Sequence, residues 1–289
     1  LTDLDKWTVV LVCALGLASA SPARAGDPPA APTAAAPSDD GAQDDSGVVF
    51  RAAEPDFTLI GLPTALPLGR FKSAFRITHR FVRPIGQGDF GDLASDFFGL
   101  DTGAQIGLEY RIGLVPHGQV GIHRTSDRTI EFFGQYEAIR QGSSQPVGVA
   151  ALVSVEGTNN FRDVYSPSLG AIASWRAAGH LALYAEPIWV HHANLQPAPG
   201  VAEDTFMVGI GARVRIRPTV YLVAEAAPRV AGYRSGAAHG GFAIEKHLGG
   251  HVFQLNVSDS FATTIGQIAR GGPTRTNWFL GFNISRKFY

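Results

Sequence analysis

The chain has 289 residues, with 24 basic and 25 acidic side chains and a formal net charge of -1. That balance leaves no electrostatic footprint for nucleic acid and no polybasic patch for a membrane surface. The 34 glycines, a charged fraction of only 17% and the lack of a long amphipathic helical period point to β structure rather than a helical bundle.

At the N-terminus, Lys6 precedes the apolar run WTVVLVCALGLASA at residues 7–20, and Ala23-Arg24-Ala25 supplies small-x-small spacing. Residues 1–25 therefore read as a secretory signal peptide. Val12 stands where lipidation at Cys13 would need a small residue, so a lipoprotein signal does not fit. Cys13 is the one cysteine, and its removal with the signal would leave no thiol for a disulfide, a metal cluster or a nucleophile. Residues 26–50 are rich in Ala, Pro and Asp and read as a disordered periplasmic linker. Residues 57–68, FTLIGLPTALPL, are apolar but broken by two prolines, and read as a lead-in to the folded domain, which is placed at 51–289. No further apolar run reaches the roughly 18 residues of a membrane-spanning helix.

From Arg70 onward the chain divides into about a dozen short segments that alternate apolar and polar residues between turn formers. In the first, Phe71, Phe75, Ile77 and Phe81 oppose Lys72, Arg76, Thr78 and Arg80. In the second, Ile106, Leu108, Tyr110 and Ile112 oppose Gln105, Glu109 and Arg111. The eighth sets Phe206, Val208, Ile210, Val214 and Ile216 against Gly209, Gly211, Arg213, Arg215 and Arg217. Connections alternate long and short, among them 84–100 long, 157–167 long, 191–204 long, 218–219 short, 228–240 long and 259–275 long; the brief gap at 126–128 is the exception. This pattern describes a transmembrane antiparallel up-and-down β-barrel of about twelve strands, with long extracellular loops and short periplasmic turns. A soluble barrel of that size could not fill its interior with the apolar face, whereas a bilayer accepts that face outward. Pro187 lies inside the seventh segment, where a closed ladder calls for a bulge.

Aromatic residues fall near strand ends on the outward parity: Trp175, Trp189, Trp278 and Phe288 read as membrane-interface anchors in outer-membrane lipid. The final segment, NWFLGFNISRKFY, resembles the C-terminal signal that the β-barrel assembly machinery recognises, with Tyr289 one residue beyond the usual terminal Phe. Taken with PLPLGRFKSAFRITHRF, FGLDTGAQIGLEYRIGL and IHRTSDRTIEFFGQYEAIRQ, it is similar to a bacterial outer-membrane β-barrel family catalogued as a domain of unknown function. The resemblance covers about residues 66–289. It implies architecture and location in the cell outer membrane, and it transfers no activity, cofactor or site residue.

By parity the lumen receives Lys72, Arg76, Arg80, Arg111, Arg176, Arg213, Arg215, Arg217 and Lys287. Against them stand Glu109, Glu131, Glu137, Glu156, Glu186, Glu225 and Glu245. A three-residue turn at Pro218 would set Arg213 opposite Glu225. Two functions follow: a passive channel for small polar or anionic solutes, with Arg213, Arg215 and Arg217 as a cationic ladder, or a plugged barrel that acts as a structural or surface-binding scaffold. Phe133, Tyr184 and Phe279 on the inner parity narrow the lumen. The segments 90–100 and 261–269 could form short helices folding over or into the mouth, and read equally well as ordinary surface loops packing their apolar residues. An outer-membrane lipid hydrolase would need a Ser, His and acid or amide set at one rim, and His79 and His251 have the outward parity but no nearby serine partner in sequence. The adjacent His191 and His192 point to opposite faces of a strand, so neither a metal nor any other cofactor is expected.

Overall fold

The computed structural model describes residues 42–43, 49–50, 53–95, 103–273 and 276–288. The signal-peptide reading and nearly all of the linker reading lie outside them, as does Tyr289. Within the linker, Ala42–Gln43 pairs with Val49–Phe50 in a short antiparallel ladder.

Twelve antiparallel strands form a closed barrel. They are β1 Ser73–Pro84, β2 Ala104–Val115, β3 Gly118–Thr125, β4 Ile130–Ile139, β5 Gly148–Gly157 and β6 Asp163–Ala177. There follow β7 Leu181–Val190, β8 Thr205–Arg217, β9 Val220–Ala227, β10 His239–Leu248, β11 His251–Ser258 and β12 Phe279–Phe288. Every strand pairs with its sequence neighbours, and β12 pairs with β1 from Phe288↔Ser73 to Phe279↔Pro84, which removes the sheet edge. Among the described residues, two short right-handed helices, α1 Phe90–Ser95 and α2 Ile265–Arg270, sit in connections at the long-loop end.

Burial follows the alternation of the sequence. In β2, Ile106, Leu108 and Tyr110 are exposed and Gly107, Glu109 and Arg111 are buried. Apolar residues therefore face outward on nearly every strand, the reverse of a soluble barrel and the arrangement a bilayer stabilises.

Four local expectations are revised. The β5–β6 connection is only residues 158–162, because Asn159, Asn160 and Phe161 adopt consecutive left-handed conformations (φ 51°, 59° and 63°) and reverse the chain compactly. Pro187 needs no bulge. The β6–β7 register is the same at Gly170↔Ile188 and Ala173↔Ala185, and the two rungs between are left unpaired where Pro187 has no N–H to give. Pro228 likewise interrupts β9, and the short strand Arg229–Gly232 continues against β8 rather than lying in a loop. Finally, the β8–β9 turn holds only Pro218 and Thr219 with a bulge at Arg215/Arg217, so Gly211 rather than Arg213 opposes Glu225.

The outward face supplies a stability test. Leu255 lies mid-strand in β11 and is 57% exposed, whereas Phe288 lies at the end of β12. Leu255→Arg is expected to lower the folding free energy in lipid vesicles by about 2–4 kcal/mol, and Phe288→Arg by about 0–1 kcal/mol. Urea titration of the refolded barrels measures both; equal small costs would mean that this face does not meet hydrocarbon.

Candidate functional site

The lumen is occupied by the chain itself. Residues 53–68 are buried almost throughout, with Leu59, Ile60, Leu62 and Thr64 essentially inaccessible. They form a hairpin: Leu59 N donates to Leu62 O at 2.8 Å and Thr64 N to Phe57 O at 2.8 Å, with Thr58 opposite Pro63. Gly61 lies in the turn. Pro63 and Pro67 lack backbone N–H groups, which keeps this segment from joining the sheet as another strand.

A hairpin standing inside a barrel leaves the backbone polar groups of its turn and outer edges without ladder partners, and burying them unpaired is costly. The wall's inward side chains supply the partners. Glu225 accepts the N–H groups of Ile60 (2.8 Å), Gly61 (2.8 Å) and Leu62 (3.1 Å) at the tip. Arg213 Nη2 donates to Thr58 O at 2.7 Å, Gln254 Nε2 to Leu59 O at 2.8 Å, and Asn283 Nδ2 to Ile60 O at 3.0 Å. Arg80 Nη2 also reaches Ile60 O at 3.3 Å, and Arg76 Nη1 reaches Thr58 Oγ1 at 2.7 Å. Toward the short-turn end, Gln135 Nε2 donates to Thr64 O (2.7 Å), Gln119 Nε2 to Leu66 O (3.1 Å) and Lys287 Nζ to Pro55 O (2.5 Å). Phe57 lies with Arg111 and Lys287 at 4.9 and 4.8 Å from its ring centre.

Shape complements the polar contacts. An added Cβ at Gly211 would lie 2.1 Å from Leu59 Cδ1, at Gly209 3.0 Å from Leu62 Cδ1, and at Gly241 3.1 Å from Ile60 Cδ1. Three gaps in the wall thus receive the three apolar side chains of the tip.

From the long-loop end, the β11–β12 connection folds inward, the placement considered for residues 261–269. Ile265, Ile268 and Ala269 of α2 are buried, and Ile268 Cδ1 lies 3.2 Å from where a Cβ of Gly61 would be. Thr264 Oγ1 donates to Glu156, Arg270 pairs with Glu156, and Ile265 N donates to Glu131 Oε1 at 3.2 Å. His239 joins this loop to the hairpin's cap: its Nδ1 meets Ser260 Oγ at 2.8 Å and its Nε2 meets Glu225 Oε1 at 2.6 Å.

Arg76, Arg80, Glu109, Arg111, Glu131, Glu137, Arg213, Glu225 and Glu245 are all buried. Arg76 and Arg111 both pair with Glu109, Arg213 pairs with Glu245 at 3.1 Å, and Glu137 meets Arg140 and His117 near the short-turn rim. Lys72 lies half-buried before β1. Arg215 donates to Pro218 O at 3.2 Å, and Arg217 is exposed at the short-turn rim, so the three arginines do not stack along the interior. Of the four aromatic residues expected at the membrane interfaces, Trp175, Trp189 and Phe288 are about 40% exposed, while Trp278 packs 5.9 Å from Phe242. His191 pairs with Asp204 at 2.7 Å and His192 with Glu203 at 3.3 Å. The sequence reading overlooked Gln119, Gln135, Gln254, Asn283 and His239. Their inward parity among charged neighbours is a visible signal, but the hairpin carbonyls that the four amides serve lie more than fifty residues away in the chain, and His239 reaches the hairpin only through Glu225.

A closed, lipid-facing barrel of this kind has a counterpart among known sequences: the profile described as "Membrane bound beta barrel domain (DUF5777)" matches residues 58–288. The chain belongs to that family. The DUF5777 match begins inside the hairpin, so the insert is counted in the domain along with the wall. No curated protein matches the chain. Among solved structures, the NanC porin aligns at 9% identity, covering 75% of this chain and 99% of its own, with a TM-score of 0.48. The KdgM porin in complex with disordered oligogalacturonate aligns at 7% identity over the same shares, with a TM-score of 0.49. Outer membrane phospholipase A from Escherichia coli aligns at 9% identity, covering 82% and 95%, with a TM-score of 0.41.

The Glu225 cap of this DUF5777 barrel is testable in the intact chain. Glu225→Ala is expected to raise hydrogen exchange at the Ile60, Gly61 and Leu62 amides by about tenfold or more, since each charge-assisted bond is worth about 1.5–3 kcal/mol. Amides in β11 should keep their protection. Unchanged exchange at the tip would show that Glu225 does not hold the hairpin.

Proposed function

We propose that the protein is an outer-membrane barrel that passes small polar solutes through a lumen held shut by its own N-terminal hairpin. The capture of the Ile60, Gly61 and Leu62 N–H groups by Glu225 carries this reading. The contact is made of hydrogen bonds and side-chain insertion, with no covalent tie, so the hairpin can leave without breaking the wall. The lining it would expose is polar and nearly balanced in charge: Arg76, Arg80, Arg111 and Arg213 against Glu109, Glu131, Glu225 and Glu245. Membership of a membrane barrel family that includes the hairpin supports the same reading. Under it, Trp189 and Trp278 anchor the long-loop interface, and Trp175 and Phe288 the other.

A permanently plugged scaffold is the second reading, favoured by the inward loop that meets the hairpin from the opposite mouth. For a hydrolase there is less support. His79 stacks on Phe282 at 4.7 Å, and among the described residues no serine hydroxyl lies within hydrogen-bond reach of His79 or His251. The linked Ser260, His239 and Glu225 are buried, and Glu225 is committed to the hairpin.

A reversible lock separates channel from scaffold. Leu59 Cγ lies 3.5 Å from the position a Gly211 Cβ would take, so Leu59→Cys with Gly211→Cys can form a disulfide between hairpin and wall. In planar bilayers the wild-type chain should show rare openings, the oxidised double variant none, and the reduced variant more frequent ones. Equal silence in all three states, with barrels folded and inserted, would favour the scaffold.

A further inference from the structure

We infer that the outer face of β2–β5 at the long-loop rim is a binding site for a phosphorylated saccharolipid of the outer leaflet. The site has an apolar floor and a cationic crown. The floor is a groove of about 680 Å³ lined by Tyr110, Ile112, Val120, Ile122, Phe132 and Val153. Strand register explains its shape. Ile112, Val120, Gly134 and Val153 form one row across the four strands, and Tyr110, Ile122, Phe132 and Val155 form the next row toward the long loops. Gly134 contributes no side chain, and that gap deepens the groove.

Above these rows the chemistry changes. Arg124 follows Ile122 on the same face of β3, between Leu108 and Ile130 in the next row. Arg128 stands in the β3–β4 turn and Arg162 in the β5–β6 turn, and the two turns are joined where Asn160 N donates to Arg128 O at 2.6 Å. Arg124 Nη2 donates to Asn160 Oδ1 at 3.0 Å, which ties the third guanidinium to the same place. All three arginines are exposed, and among the described residues none pairs with a carboxylate. The nearby acids are engaged elsewhere: Asp127 accepts from Thr129 N and Gln267 Nε2, and Asp163 accepts from Asn159 Nδ2. Hydrogen bonds from Thr125 and Thr129 outweigh the burial that opposes ionisation of Asp127 and hold its carboxyl below the ordinary value.

The left-handed turn gives the site its third part. It sets Phe161 edge-on to Phe132 at 5.2 Å and to Tyr165 at 5.0 Å, an aromatic ledge between groove and guanidiniums. Backbone strain of this kind in a non-glycine residue persists where the surroundings fix it. Guanidinium groups are suited to phosphate oxygens, and three of them, one at the end of β3 and two on neighbouring turns, suit more than one phosphate. Four strands span about 14 Å across the groove, room for several acyl chains side by side. Multiple phosphates with several chains describe a saccharolipid better than a two-chain glycerophospholipid. The inference rests on the outer-membrane reading, but not on the movement of the hairpin.

The test uses the refolded full-length chain in micelles, with native mass spectrometry after titration by diphosphorylated lipid A, dephosphorylated lipid A or dioleoylphosphatidylglycerol. Wild type should bind the diphosphorylated form at least tenfold more tightly than either alternative. The variant carrying Arg124→Gln, Arg128→Gln and Arg162→Gln should lose about tenfold, and Gly134→Leu several-fold by filling the floor. Heat-dependent gel mobility confirms that each variant is folded. Equal binding by wild type and the arginine variant, or equal affinity for phosphatidylglycerol, would overturn the assignment. Either result leaves the disulfide-lock conductance experiment standing, since the lock acts inside the lumen.

Discussion

The constraint on which this structure depends is that a hairpin buried inside a barrel has no neighbouring strands to pair the outer edges of its backbone. Each N–H and C=O that the hairpin does not pair within itself must find a side chain of the wall. That need explains residues that otherwise look like a surplus of buried polarity: Gln119, Gln135, Gln254 and Asn283 all donate to hairpin carbonyls. It also explains how Arg80 and Arg213 can lie wholly inaccessible to solvent. A lone buried charge would be strongly unfavourable, and here each guanidinium has a hairpin carbonyl among its acceptors, and Arg213 has the Glu245 carboxylate as well. The glycines at 209, 211 and 241 are the apolar half of the same arrangement. Wall and insert are complementary in both hydrogen bonding and shape.

The wall was largely legible in the sequence and its contents were not. Alternation in segments such as Ala104–Val115 carries a period of two, which assigns the lipid side and the lumen side without knowledge of the neighbours. Loop lengths and bulges carry no such period. Arg213 does not face Glu225 because the turn is one residue shorter than the three expected and a bulge at Arg215/Arg217 shifts the register by one more. Pro187 looked like an obstacle, yet a barrel fixed by ten other strands tolerates two missing rungs where the proline falls. The turn at Asn159–Phe161 is legible only afterwards, since three consecutive left-handed residues are rare.

The hairpin was the largest omission, and the reason is physical. Its apolar composition, FTLIGLPTALPL, announces burial, but nothing local says against what. Its partners lie at Glu225, Gln254 and Asn283, from 163 to 223 residues along the chain. A parity argument can say that those side chains point inward, but it cannot say that a peptide rather than water awaits them. The same limit applies to the mouth, where the sequence allows a fold-back helix or a plain surface loop at 261–269 and gives no sign of the anchorage on Glu131 and Glu156.

The account's central claim is that the hairpin tip is sealed within the lumen. The most direct measurement is the reactivity of a single thiol at its tip, Leu62→Cys with Cys13→Ala, toward a membrane-impermeant maleimide in reconstituted, folded barrels. Leu62 is fully buried between the hairpin turn and the wall at Gly209. The account predicts labelling slower by at least about a hundredfold than in the urea-unfolded chain, from both sides of the membrane. Labelling at the rate of a free thiol in the folded barrel would contradict it, because the lumen would then hold water where the structure places the hairpin.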